Sequence, residues 1–275
     1  PIDTSINITV ILLRKIIIMK QVLLATLLAT STWAVADEAT TLPLVEETKN
    51  WSASVTATSE YLFRGLKQTQ GDPALQGQLG YDMGNGIYVG AWASSIKWTK
   101  DGNYMNNNDV ETNFWAGYAN TLGDTGIGYD VGILQYYYPG TVKNGIADAD
   151  ATELYASVNK DIAGMNLAVK YSQVVSDDAW GIADADGSQY LEAQVTVPLT
   201  EQLSAIAHIG RSEFDGSGNA AYDYTDWKLG AEYAYNDNLT LGAGWSDTNA
   251  NEASWTLRGE DQGEGQALAW ATWNF

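Results

Sequence analysis

The sequence predicts an all-β fold: a transmembrane, antiparallel, up-and-down β-barrel of about 12 strands with short periplasmic turns and long extracellular loops. Three observations predict it. Apolar residues recur at every second position in short segments after residue 50. The connections between those segments alternate between tight and long. The final segment closes the chain on an aromatic residue, Phe275.

Composition fits that reading. Charged residues make up 17% of the chain, where ordinary soluble domains hold about a quarter. The 11 Trp and 16 Tyr outnumber the 4 Phe, a skew toward rings with one apolar and one wet end, as at membrane interfaces. With no cysteine the fold has no disulfide, and thiol catalysis and Cys-based metal sites are excluded. The net charge of −20 repels nucleic acid, whose binding depends on neutralising phosphates.

Taken in order, the chain first shows an export signal. Met19-Lys20-Gln21 leads into the apolar run 22–28, and Ala34-Val35-Ala36 supplies small residues at a cleavage site. A signal peptide is expected over 19–36, residues 1–18 lie upstream of the start at Met19, and 37–49 form a polar periplasmic linker. No later run reaches the roughly 20 apolar residues of a spanning helix, so a membrane fold over 50–275 must be built from strands.

Twelve alternating segments follow, starting near Trp51, Ala74, Ile87, Val110, Thr125, Thr152, Met165, Gln189, Leu203, Thr225, Leu239 and Gln266. In the first, Trp51, Ala53, Val55 and Ala57 share one face and Ser52, Ser54, Thr56 and Thr58 the other. Each segment is about ten residues long, the length of a tilted membrane strand. An even count returns both ends to one side. Tight turns are expected at 84–86, 120–125, 159–164, 198–202 and 236–238, and long polar loops near 64–72, 99–109, 139–151, 176–188, 214–224 and 247–265. Gly126, Gly128, Gly132, Gly242 and Gly244 sit at strand positions, where they relieve crowding in a small curved barrel. In the last segment Ala267, Ala269, Ala271, Trp273 and Phe275 share a face. Phe275 suits recognition by the barrel-assembly machinery or a place in the interfacial aromatic girdle.

With the apolar face turned to lipid, the opposite face collects the pore-lining candidates: Glu60, Asp82, Glu111, Asn113, Asp130, Glu153, Lys170, Glu192, Lys228 and Glu232, with Arg64 at one mouth. Gln76, Gln78, Gln194 and His208 join them. Charges turned to lipid would cost about 2–4 kcal/mol at the midplane for Lys or Arg, so their shared parity supports the register. The excess of acids implies either a water-filled passage favouring cations or a narrow interior filled by acids paired with Arg64, Lys170 and Lys228.

Two other chemistries are weaker. Gly145–Glu153 and Gly181–Gln189 share their first six residues, and Asp184, Asp186 and Glu192 offer oxygen ligands. Their spacing departs from a calcium loop, so a solvated acidic rim is expected and no metal or cofactor is called for. The lone His208 faces inward with Ser204, and no Gly-x-Ser-x-Gly elbow surrounds a serine, so no enzyme is expected.

The run Thr58-Ser-Glu-Tyr-Leu-Phe-Arg-Gly65, with Gln68-Thr69, Pro73-Ala-Leu-Gln-Gly77 and Gly90-Ala-Trp-Ala-Ser-Ser95, resembles the TorF family of porins. Glu111 before Phe114-Trp-Ala-Gly-Tyr118, and Tyr136-Tyr-Tyr-Pro-Gly140, add to the resemblance. It implies an outer-membrane location and porin activity. The chain departs from that pattern at Asn113, where the resemblance implies an acid. The expectation is thus a cation-leaning diffusion channel for small hydrophilic solutes or ions in a Gram-negative outer membrane. The alternative is a non-conducting structural or adhesive barrel acting through loop aromatics such as Tyr104, Trp180 and Trp255.

Overall fold

The computed structural model describes residues 50–275; the expected extension, signal peptide and linker lie outside them. Within this part the chain forms β1 (Trp51–Thr58), β2 (Leu62–Phe63), β3 (Leu66–Lys67), β4 (Ala74–Asp82), β5 (Ile87–Ser95), β6 (Val110–Thr121) and β7 (Ile127–Tyr137). It continues with β8 (Ala151–Ile162), β9 (Met165–Val174), β10 (Gln189–Pro198), β11 (Leu203–Glu213), β12 (Tyr224–Ala234), β13 (Leu239–Thr248), β14 (Thr256–Leu257), β15 (Glu260–Asp261) and β16 (Gln266–Asn274). Twelve of these close a barrel in the order β1-β16-β13-β12-β11-β10-β9-β8-β7-β6-β5-β4. Every neighbouring pair is antiparallel, and closure runs through Thr56 opposite Thr272 on one side and Gln76 on the other. A closed barrel has no free edge, so each strand's backbone groups pair within the wall.

The expected starts near Thr125, Thr152 and Thr225 move by one or two residues, to Ile127, Ala151 and Tyr224. Gly126 proves to be a turn residue at φ 67°. The alternation of connections holds: residues 83–86, 122–126, 163–164, 199–202 and 235–238 turn tightly, and the intervening connections at the other end are long. The first of these is longer than expected, spanning 59–73, because it contains the small β2–β3 hairpin.

Parity separates the two faces of the wall. Leu75, Leu79, Phe114, Val131, Leu154, Leu191, Ile209 and Leu229 point outward and are exposed, an apolar belt far larger than the isolated patches of a soluble monomer. Rings flank it, among them Trp51 against Tyr81 at 4.6 Å. The inward face carries the charges and also large rings: Tyr88, Trp92, Trp115, Tyr136, Tyr155, Tyr190 and Trp270 are all buried. Inward glycines make room for them. A Cβ on Gly242 would stand 1.9 Å from Trp270 Cε2, its cross-strand neighbour, which is why a glycine sits mid-strand at that position.

Candidate functional site

The first long connection does not arch over the mouth. It folds into the barrel. Glu60 holds its two ends together, accepting hydrogen bonds from Thr69 N at 2.7 Å and from Thr69 Oγ1 and Gly71 N. The pinned segment pairs as the β2–β3 hairpin, whose tip, Arg64-Gly65, takes left-handed backbone at φ 48° and 80°. Gly65 meets the opposite wall so closely that a Cβ there would lie 2.5 Å from Thr248 Cγ2 and 2.9 Å from Asp226 Cβ. Apolar flanks seat the hairpin: Leu62 joins Ile206, Leu268 and Trp270, and Phe63 packs against Tyr136 and Trp180.

Arg64 stands at the long-loop mouth, as expected, level with the first residues of β8 and β10 and turned inward across it. Its guanidinium spans the lumen to β8, where Nη2 donates to both Glu153 oxygens at 2.9 Å. The pair is 4% and 1% exposed. The rings of Phe63, Trp180 and Tyr190 lie 4.9, 5.3 and 4.3 Å from the guanidinium carbon, and Tyr136 Oη donates to Glu153 at 3.1 Å. A desolvated pair of this kind is held by its surroundings, and removing one partner strands the other charge.

The other expected lining residues each meet partners of their own. Glu111 accepts from Tyr61 Oη at 3.2 Å and from Asn113 Nδ2 at 2.9 Å. Asp130 accepts from Tyr88 Oη at 2.6 Å, and Tyr88 in turn meets Tyr155 Oη at 2.6 Å. On the opposite wall Glu192 lies 3.6 Å from His208 Nδ1 while Asp226 stands 3.0 Å from His208 Nε2 and accepts from Tyr190 Oη at 3.0 Å. Glu232 accepts from Trp270 Nε1 at 3.0 Å. Lys170 faces Glu192 across the β9–β10 ladder, with its ammonium 5.0 Å from the Tyr155 ring. Lys228 faces His208 and Ser246. Asp82 belongs elsewhere: it caps Gly84 N at 2.5 Å beside a tight turn, partly exposed, away from the hairpin.

Asp226 was not among the expected residues, although it shares parity with Lys228 and Glu232; it is the third residue of β12, next to the long connection that precedes the strand. Glu111 is fully buried and Glu153 nearly so. An open aqueous lumen would leave such carboxylates wet. Here the hairpin and the inward rings enclose them, which corrects the picture of acids lining an open passage at this level. The loop aromatics Tyr104, Trp180 and Trp255 pack over the mouth above the hairpin.

A family model described as "Bacterial protein of unknown function (Gcw_chp)" matches residues 46–275, and the chain belongs to that family. That description does not include the TorF name suggested by the motifs. No curated protein matches the sequence. Among solved structures, "KdgM porin in complex with disordered oligogalacturonate" aligns at TM-score 0.53 and 7% identity, covering 82% of this chain and 99% of that one. "NanC porin structure in rhombohedral crystal form" aligns at TM-score 0.53 and 11% identity, covering 81% and 98%. At these identities the likeness is one of fold.

Proposed function

We propose that this member of the Gcw_chp family is an outer-membrane, porin-like channel for small hydrophilic solutes or ions, as the TorF resemblance also implies. The observation that carries the reading is the wall itself: a closed 12-strand barrel, apolar outside and charged within, bridged by one inward hairpin latched through Arg64 and Glu153. Barrels put charged groups inside where water or a solute is meant to pass. The fold shared with two porins supports the same reading.

In this account the hairpin is the constriction, and passage requires it to shift from the β8 wall. The acids Glu111, Asp130, Glu153, Glu192, Asp226 and Glu232 outnumber Arg64, Lys170 and Lys228 on the inward face, so the lumen favours cations. Export by the 19–36 signal and insertion through the Phe275-terminated strand by the assembly machinery complete the proposal. No catalytic role is assigned: His208 is held between Glu192 and Asp226 as an interior bonding group.

The test is planar-bilayer recording of the refolded barrel under a KCl gradient. Discrete steps with a cation-leaning reversal potential are expected. Anion-leaning steps would overturn the role of the acids, and a folded barrel that never conducts would overturn the channel.

A further inference from the structure

The last connection, residues 249–265, leaves β13 and returns to β16, yet it does not stay on its own side of the mouth. Trp255 packs against Phe214 and Tyr222 of the β11–β12 connection at 5.9 and 5.4 Å, and its Nε1 donates to Tyr222 O at 3.2 Å. Arg258 Nη1 meets Asp101 Oδ1 of the β5–β6 connection at 2.9 Å. Six strands separate those two connections in either direction round the ring, so they face each other across the barrel. Side chains close together on one segment thus reach opposite sides, which makes the segment a strap over the mouth.

Its two attachments differ in kind. The Trp255 end is held by rings and is stitched to the hairpin below: Gln262 N donates to Trp255 O at 2.9 Å, Lys67 N donates to Gln262 O at 2.9 Å, and Gln262 Nε2 donates to Gln70 Oε1 at 3.0 Å. The other end is the β14–β15 hairpin, with Leu257 partly buried against the core. Among the described residues, the Arg258–Asp101 pair is the one polar contact that ties this tip to another connection. Arg258 is 67% exposed and Asp101 19%.

The tip repeats the buried latch in an exposed setting. Arg258-Gly259 takes φ 52° and 85°, as Arg64-Gly65 takes 48° and 80°. A two-residue turn of that shape favours Asn, Asp or Gly at its first position, so turn chemistry does not account for arginine at either tip. The reach to a carboxylate does. Arg64–Glu153 is sealed from water, whereas Arg258–Asp101 meets it, and exposed pairs are weak and weaken further as salt is added. We propose that the strap is a salt-sensitive lid: the Arg258–Asp101 pair shuts it at low ionic strength, and high ionic strength frees the tip while Trp255 stays anchored. The lid adds regulation to the channel reading and rests on that reading only for its effect on passage.

The chain has no cysteine, so Leu66→Cys, at a buried position of the hairpin under the strap, supplies a unique thiol in the full folded barrel. Its rate of maleimide labelling, normalised to the unfolded chain at the same salt, reports opening. Labelling in about 1 M NaCl should exceed that in about 10 mM NaCl by about two- to fivefold, the population shift a weak surface pair supports. In the same background Arg258→Gln should label at the faster rate in both salts. The charge-reversed pair, Asp101→Arg with Arg258→Asp, should restore the salt response. Equal labelling at both salts with the native pair intact, or a salt response that survives Arg258→Gln, would overturn the lid. A barrel that responds as expected but never conducts would keep the lid and remove the channel.

Discussion

The two ends of this barrel are built on different rules. At the short-turn end each connection is local: Asp82 caps Gly84 N, Asn85 caps Ile87 N, and Asn236 caps Leu239 N. At the long-loop end the connections depend on one another. The hairpin is tied to the last connection through Lys67 N to Gln262 O at 2.9 Å, and the Trp180 ring of a third connection covers Arg64. One end is therefore closed by independent local turns, and the other is an assembly of connections that hold one another in place. Changes at the first should be felt locally, and changes at the second should propagate.

The largest contrast should come from the latch. Arg64→Ala strands Glu153 as a buried charge, and loss of one member of such a pair costs about 3–5 kcal/mol. The urea midpoint of the refolded barrel should drop accordingly, whereas Asp82→Asn at the other end should cost less than about 1 kcal/mol. Equal effects would erase the distinction between the ends. Next comes Gly65→Ala, which combines a left-handed backbone with a close approach to Thr248 and Asp226. Strain of that kind costs about 1–3 kcal/mol, and the hairpin should become open to protease while the wall stays intact. Unchanged protection would mean that the tip does not dock as described.

The smallest expected effect is a pH response confined to the long-loop end. Burial raises the Glu60 carboxyl above its ordinary value of 4.5, against the opposing hydrogen bonds from Thr69 and Gly71. A carboxyl raised on docking is better tolerated in its neutral form. Its contribution to the docked hairpin is therefore complete below the ordinary value and is lost as pH rises through the raised one. Protease protection of the hairpin should increase as pH falls toward 4.5, and Glu60→Gln should flatten that dependence. A variant that keeps the full dependence would assign it to another group.

The same contrast explains what was legible in the sequence. Strand starts fell within two residues of their expected places, because period-two alternation and capped tight turns are local signals. The inward parity of Glu111, Asp130, Glu153, Lys170, Glu192 and Glu232 was legible for the same reason. The hairpin was not. Its strands are two residues each, too short for a pattern, and what folds them inward is Glu153, Ile206 and Trp270 from strands far along the chain. Gly65 after Arg64 was the one local hint of a sharp turn. Inward rings such as Tyr88 and Trp92 also escaped, because aromatic residues in such a chain read first as girdle residues, and only the Asp130 and Tyr61 contacts reveal their interior place.

The hairpin latch is proposed to govern passage through the barrel. The direct test is to record single-channel conductance of the wild-type barrel and of Arg64→Ala side by side, after heat-modifiable mobility on gels has shown both to be folded. Arg64→Ala should give larger or more frequent cation-leaning steps than the wild type. Identical conductance in the two, or silence from both, would contradict it.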